Sequence, residues 1–389
     1  MIRVEKFIPG GQSLGVTESG KKIFFWDALP GEEVIEYQTL KTKSHYDEAI
    51  ATKLNNVSSF RVEPKDSCFL STSPWQNLAF NYELEQKQNL VVEIFREHQI
   101  DIKKPAIFTD QKDYYYRNKM EYSLYWDNQE NIIKLSFHER SSHRKLPITK
   151  SSIERPEIFA AAKKIVDDLN VKHEESRKFQ ALLLRCNQKG EVSGGLFAKG
   201  RPHPKFNNLT DYILGQEYSY SPNGFFQINL PVYELALQEI KKHITTNKVL
   251  DLYAGVGTIG LSVARDHNLT LVECDKSAYD EMEKNCQKVS SGHTSQAILA
   301  RSEEALNYIE PDQTVILDPP RAGCDAKLIH KLLETLPQKI IYLSCNPATQ
   351  ARDVKMLLQQ YQIDDIKIFN FFPHTPHIEN LVVLSKETH

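Results

Sequence analysis

The chain has 389 residues, 40% hydrophobic and 25% charged, an ordinary globular balance long enough for roughly two or three domains. A net charge of −3 argues against a general polyanion binder, and six cysteines without a C-x-x-C pair argue against a disulfide framework and a zinc site. No apolar run approaches a membrane span, and Met1-Ile2-Arg3-Val4-Glu5 lacks the hydrophobic segment of a signal peptide, so a cytoplasmic protein is expected.

Residues 1–58 carry short strand-like runs, among them Lys22-Ile23-Phe24-Phe25-Trp26 and Glu33-Val34-Ile35-Glu36-Tyr37. Turn signals at Pro9-Gly10-Gly11, Ser19-Gly20 and Pro30-Gly31 separate them, which predicts a small closed β-barrel. The order Gly11-Gln12-Ser13-Leu14-Gly15, Phe24-Phe25-Trp26, Ala28-Leu29-Pro30-Gly31-Glu32 resembles the TRAM domain, an RNA-binding barrel. Lys41, Lys43 and Lys53 could meet phosphates there. Phe24 and Trp26 read as the inward face of a strand rather than as a base platform.

Residues 59–210 read as a central α+β domain. Trp75 to Gln99 has helical apolar spacing at Leu78, Tyr82, Leu90, Ile94 and Phe95. Tyr114-Tyr115-Tyr116-Arg117-Asn118-Lys119 then interleaves aromatics with cations, which suits single-stranded nucleic acid. Arg117 and Lys119 are the candidate RNA contacts, and His138-Glu139-Arg140, His143-Arg144-Lys145 and Lys199-Gly200-Arg201-Pro202-His203 add basic loops. From Asp101 to Lys205 there are 21 Lys and Arg against 14 Asp and Glu, so the positive charge is local.

Residues 211–389 read as a Rossmann-like α/β domain. Val249-Leu250-Asp251-Leu252 is a buried strand, Tyr253-Ala254-Gly255-Val256-Gly257-Thr258-Ile259-Gly260 a glycine turn and helix start, and Leu269 to Glu273 a second strand ending in an acid. Such a βαβ unit binds a nucleoside, with Glu273 on ribose hydroxyls. The G-x-G-x-x-G pattern alone also permits NAD or FAD. Asp251 at the strand end repels a pyrophosphate but suits the cationic sulfonium and amino group of S-adenosylmethionine. Thr314 to Leu317 is a third strand, opening into Asp318-Pro319-Pro320-Arg321. Lys339 to Leu343 is a fourth, followed by Ser344-Cys345-Asn346-Pro347 and a helix over Ala348 to Gln359. Cys345 is either a space-filling thiol or, near a helix N-terminus that favours thiolate, a nucleophile. Phe371-Phe372-Pro373-His374-Thr375-Pro376-His377-Ile378-Glu379 reads as a stiff loop before a last strand, Leu381 to Leu384, and Ser221 to Asn229 supplies aromatics and amides ahead of the sheet.

Taken together, Asp318-Pro319-Pro320-Arg321, Ser344-Cys345-Asn346-Pro347-Ala348-Thr349 with Arg352-Asp353, Phe225-Phe226-Gln227-Ile228-Asn229 and Pro373-His374-Thr375-Pro376-His377-Ile378-Glu379 resemble the RNA uracil-5 methyltransferase family, whose members make 5-methyluridine in tRNA or 23S rRNA. The resemblance implies Cys345 as the nucleophile on uracil C6, Glu379 as the base at C5, and Asp318 at the uracil edge. It implies Gln227, Asp251, Tyr253, Gly255, Gly257, Glu273 and Asp318 around S-adenosylmethionine, and Arg117, Lys119, Phe226 and Arg321 against RNA whose target base is flipped out. Two positions depart from the family pattern. Cys68 stands alone where a C-x-x-C pair of a four-cysteine iron–sulfur site would begin, so no cluster and no metal are expected, and Asn370 stands where an Asp is usual. The TRAM-like start favours 23S rRNA over tRNA, and a monomer is expected. Two rival readings are an amino-group methyltransferase that needs Asp318-Pro319-Pro320 but not Cys345, and a non-catalytic RNA-binding protein.

Overall fold

A computed structural model describes residues 1–202, 204–288 and 294–387; His203 of the last basic loop lies outside the described residues. The first five strands, β1 (Ile2–Phe7), β2 (Ser13–Val16), β3 (Lys22–Trp26), β4 (Glu33–Thr42) and β5 (Tyr46–Asn55), close into a barrel in the order β1-β2-β3-β5-β4. Strand alternation drives Val4, Ile23, Phe25, Val34, Ala49 and Ala51 inward. Trp26 is buried on the outside, where the Arg140 guanidinium lies 4.0 Å from its ring, and Phe24 is half-buried against Tyr46. Lys41 and Lys53 are exposed but paired with Glu48 and Glu36 across β4 and β5.

Next come α1 (Phe69–Thr72), α2 (Phe80–Glu97), β6 (Ala106–Phe108), β7 (Lys119–Asp127), β8 (Ile132–His138), β9 (Lys145–Pro147), α3 (Pro156–Val171), β10 (Phe179–Cys186) and β11 (Val192–Ala198). Five of the strands form an antiparallel sheet, β11-β10-β7-β8-β9, with α3 packed across β8 and β10. The helix expected from Trp75 begins instead at Phe80, because tertiary partners hold the preceding turn. Trp75 N–H donates to His374 O at 3.0 Å, its indole N–H donates to Gly11 O at 2.9 Å, and Gln76 Nε2 donates to Asp66 Oδ2 at 2.9 Å. Asp66 also accepts from the backbone N–H and hydroxyl of Ser152, so a buried hydrogen-bond hub ties the segment around the buried Cys68 to the loop before α3.

The remainder is a hairpin, β12 (Leu209–Ile213) and β13 (Gln216–Tyr220), and then α4 (Leu230–Lys242), β14 (Lys248–Leu252), α5 (Thr258–Val263), β15 (Asn268–Glu273), α6 (Lys276–Lys288), β16 (Ser295–Leu299), β17 (Gln313–Leu317), α7 (Ala326–Thr335), β18 (Lys339–Ser344), α8 (Pro347–Leu357), β19 (Tyr361–Phe369) and β20 (Glu379–Lys386). One eight-stranded sheet runs β16-β15-β14-β17-β18-β20-β19-β6, parallel from β16 to β18, with β20 antiparallel to both its neighbours. Helices cover both faces, so central strands such as β17 are buried along their whole length and read as continuous apolar runs. The α/β class and the N-terminal barrel are as the sequence implied. Two pieces of the stretch before residue 210 nevertheless join this sheet: β6 is its edge strand, and α2 packs Leu90, Val91, Ile94 and Phe95 into the core beneath α7 and α8. Among the described residues no helix is long and apolar enough to cross a membrane.

Candidate active site

Strand order reverses at β14, with β15 on one side and β17 on the other, which opens a crevice at the carboxyl edge where α/β sheets bind ligands. Along that edge, consecutive strands end in Glu273 (β15), Asp251 to Tyr253 (β14), Asp318 (β17) and Cys345 (β18). The next strand, β20, runs the other way and begins with Glu379 at the same edge. Ser344 pairs with Asn380 in the last rung of that ladder, so Cys345 and Glu379, the next residues on either side, leave it at the same edge. Glu379 is thus a strand residue and not part of the loop that the sequence suggested.

Hydrogen bonds explain why the Asp318 and Cys345 motifs occur together. Asn346 caps α8 by accepting from Ala348 N–H at 3.2 Å, while its Nδ2 donates to Arg321 O at 2.8 Å. Thr349 Oγ1 donates to the same carbonyl at 3.1 Å, Arg352 donates to Ala322 O, and Asp353 Oδ2 accepts from Cys324 N–H and Tyr342 OH. The Asp318 loop is therefore clamped onto α8, which begins at Pro347, one residue before the expected start, and ends at Leu357. A second clamp was not foreseen. Buried Gln350 donates to Tyr342 O and Asn380 O and accepts from Asn380 Nδ2, fixing β18 to β20 directly behind Cys345 and Glu379. A Gln on the inner face of an amphipathic helix was the one signal for it.

The site is acidic and poorly solvated. Burial pushes the Asp251 carboxyl up to about 8, reinforced by Asp318 and Glu273 and opposed by the Gly260 N–H. Burial pushes Asp318 up to about 7. Glu379 is raised well above the usual carboxylate range by burial and then by Asp318, with Arg321 opposing. Burial, then the charges of Glu379 and Asp318, push the half-buried Cys345 thiol up to about 11. The expectation that this position favours thiolate is therefore corrected: burial first, and then the two carboxylates, favour the protonated thiol.

At the glycine turn, Gly255 and Gly257 have φ of 58° and 85°, and a side chain at Gly255 would meet nothing within 4 Å, so this backbone lies open to a ligand. Glu273 accepts Gly255 N–H at 2.8 Å and also the N–H groups of Cys274 and Asp275, keeping lone pairs for a further donor. Asp251 Oδ2 accepts Gly260 N–H at 2.8 Å, but Oδ1 is buried with no partner among the described residues. An orphaned carboxylate oxygen beside an open glycine turn fits a cationic nucleoside cofactor such as S-adenosylmethionine. Tyr253, at φ 65°, lines a cavity of about 570 Å³ with Cys324, Ile329 and Met356 on the α7–α8 face. The buried Gln227 is held by its carbonyl, which accepts from Asn118 Nδ2 at 3.0 Å.

One of the residues expected to contact RNA does not face outward. Phe226, read as a substrate contact, is buried and stacked on Tyr220 with ring centroids 3.9 Å apart. Its neighbour Phe225 is 71% exposed. The outward ring is therefore displaced by one residue from the expected position. Lys119 donates to the carbonyls of Asn223 and Gly224, and Arg185 to those of Gly224 and Phe226, so both cations hold the turn that presents Phe225. Of the three tyrosines before Arg117, Tyr116 is buried, Tyr114 packs on His374, and Tyr115 is outward. His377, 3.4 Å from Arg321, is pushed down to about 4 by surrounding protein and by the charges of Arg321, Lys87, Arg117 and Arg140. Arginines from three separate segments thus converge at the cleft.

Residues 212–387 match the profile of the family described as tRNA (Uracil-5-)-methyltransferase. An Enterococcus faecalis protein with the name "Uncharacterized RNA methyltransferase" is 28% identical over 451 aligned positions, covering 99% of this chain and 97% of the relative. A Bacillus cereus protein with the same name is 26% identical, covering 99% and 96%. Among solved structures, Pyrococcus abyssi tRNA (uracil-54, C5)-methyltransferase in complex with S-adenosyl-L-homocysteine superposes with a TM-score of 0.78 at 23% identity, covering 99% of this chain and 100% of that one. At that identity the likeness is one of fold.

Proposed function

From the premise that the chain belongs to the RNA uracil-5 methyltransferase family, an S-adenosylmethionine-dependent group of enzymes, we propose that it methylates C5 of a flipped-out uridine through a Cys345 adduct resolved by Glu379. The observation that carries this reading is the gathering of Cys345, Glu379 and Asp318 at the ends of adjacent strands on the carboxyl edge of the sheet, close enough that both carboxyls act on the thiol.

Asp251, Gly255, Gly257, Glu273, Gln227 and Asp318 would hold S-adenosylmethionine, with Tyr253 adjoining through its backbone; when bound, it supplies an electrophilic methyl group. Cys345 attacks uracil C6. The thiol is protonated in the free protein, and Asp318, near 7, is the neighbouring carboxylate that takes its proton. As the S–C6 bond forms, the C5=C6 electrons move toward C5 and the adjacent carbonyl oxygen, to which the protonated Asp318 can donate. C5 thereby becomes nucleophilic. After methylation, the Glu379 carboxylate removes the C5 proton; the C–H electrons restore C5=C6, and the S–C6 bond breaks to release the thiolate. Held above its ordinary range, Glu379 is a stronger base than a solvated carboxylate. Phe225 stacks on RNA, and Arg117, Arg140 and Arg321 meet its phosphates.

The barrel that tilts the reading toward 23S rRNA belongs to a chain that superposes over 99% of its length on Pyrococcus abyssi tRNA (uracil-54, C5)-methyltransferase. The barrel therefore does not separate the two substrates. Tritium-methyl transfer to purified tRNA and to 23S rRNA fragments, followed by nucleoside analysis, tests the reading. Label in 5-methyluridine is expected in one of the two. Label on an exocyclic nitrogen, or none in either RNA, contradicts it.

A further inference from the structure

The loop between β19 and β20, residues 370–378, enters the site at Glu379, and it is gripped from below by a buried ion pair. Glu83 and Lys87, one turn apart on α2, are fully buried and 2.8 Å from each other. Lys87 Nζ also donates to Asn370 Oδ1 at 2.7 Å and to Phe372 O at 3.0 Å, so all its protons are engaged. Glu83 Oε2 accepts His374 N–H at 2.9 Å, and Asn370 Nδ2 lies 3.4 Å from Glu83 Oε1. His374 itself is at φ 59°, a left-handed conformation that an L-residue adopts only when its surroundings impose it. One ion pair thus holds residues 370, 372 and 374.

We infer that Glu83, Lys87 and Asn370 are positioning residues for proton abstraction: they set the path of the 370–378 loop and so aim the Glu379 carboxylate. The inference rests on the reading of Glu379 as the base. A buried ammonium needs every proton satisfied, and a buried carboxylate needs donors. An amide at 370 serves both, accepting from Lys87 and donating toward Glu83. A carboxylate there would set two anions against one cation. The loop geometry thus depends on a count of one acid, one base and one amide.

The test compares Lys87→Met, Asn370→Asp and the double variant Glu83→Gln/Asn370→Asp with Glu379→Gln, all as full chains with RNA substrate. Lys87→Met and Asn370→Asp should lower kcat about 10- to 100-fold, the scale of a ~1 Å misplacement, with KM for RNA nearly unchanged. A methylated protein–RNA adduct should accumulate on denaturing gels, as in Glu379→Gln. The double variant, which restores one carboxylate and one amide around Lys87, should recover much of the kcat lost in Asn370→Asp. If Lys87→Met does not fold, the near-isosteric Asn370→Asp and its rescue decide the matter alone. Loss of kcat without adduct, a parallel change in KM, or no rescue overturns the inference. If Glu379→Gln itself forms no adduct, the reading of the base fails instead, and the two failures are distinct.

Discussion

Asp251→Asn tests the electrostatics of the cofactor end. Asp251 Oδ2 accepts the Gly260 N–H while Oδ1 is buried without a partner among the described residues, and burial raises the carboxyl to about 8 from 3.8. Because the folded form binds the proton more tightly than the unfolded chain, the stability this group contributes is complete below about pH 3.8. It is lost progressively as pH rises through about 8. At 1.36 kcal/mol per unit, the full loss is on the order of 5 kcal/mol. Asn keeps the acceptor for Gly260 and does not titrate. Without cofactor, urea unfolding of the variant and the parent should therefore diverge as pH rises. The variant should gain roughly 3–4 kcal/mol relative to the parent between pH 5 and pH 8 and little beyond. Isothermal titration should show the variant binding S-adenosylmethionine more weakly, since it offers no anion to a cationic ligand. A stability difference that stays flat from pH 5 to pH 9 would refute the view of Asp251 as a buried acid awaiting a cation.

The two adjacent phenylalanines should separate cleanly. Phe226→Ala should destabilise by about 3–5 kcal/mol in a melting or urea experiment, as truncation of a buried ring does. Phe225→Ala should change stability by no more than about 0.5 kcal/mol, yet weaken RNA binding by about 1–3 kcal/mol in a filter assay, the worth of one base–aromatic stack. Cys345 should alkylate slowly near neutral pH and faster as pH climbs toward 11, with the modified residue read by mass spectrometry. Asp318→Asn should speed that alkylation between about pH 7, where Asp318 becomes charged, and pH 11, because the Asp318 charge adds to burial and Glu379 in holding the thiol up; an unchanged or slower rate in that range would show that the carboxylate does not act on the thiol.

Much of the site was legible because its parts lie at strand ends, and parallel strands buried on both faces read as plain apolar runs. Val249 to Leu252, Thr314 to Leu317 and Lys339 to Leu343 could be placed within a residue of their observed limits for that reason. Three kinds of feature were not legible. Short or displaced elements depend on tertiary partners: β6 has three residues, and Trp75 takes its hydrogen bonds from Gly11 and His374 rather than from a helix. The facing of two adjacent side chains in an irregular loop has no periodic signal, so Phe225 and Phe226 could be exchanged. Long-range charge also left no local trace. Lys87 meets Asn370 across 283 residues, and the Cys345 thiol, raised first by burial, is raised further by Glu379 and Asp318 from other strands.

The central claim is that Cys345 becomes covalently joined to the target base. Full-length protein incubated with S-adenosylmethionine and substrate RNA containing 5-fluorouridine tests it most directly, because fluorine at C5 cannot be removed as a proton and the adduct cannot resolve. The account predicts a protein–RNA complex that survives denaturing electrophoresis and carries one transferred methyl group. Its peptide map should show the link at Cys345, and the complex should be absent with Cys345→Ala. Turnover by Cys345→Ala, or a link at any other residue, would contradict it.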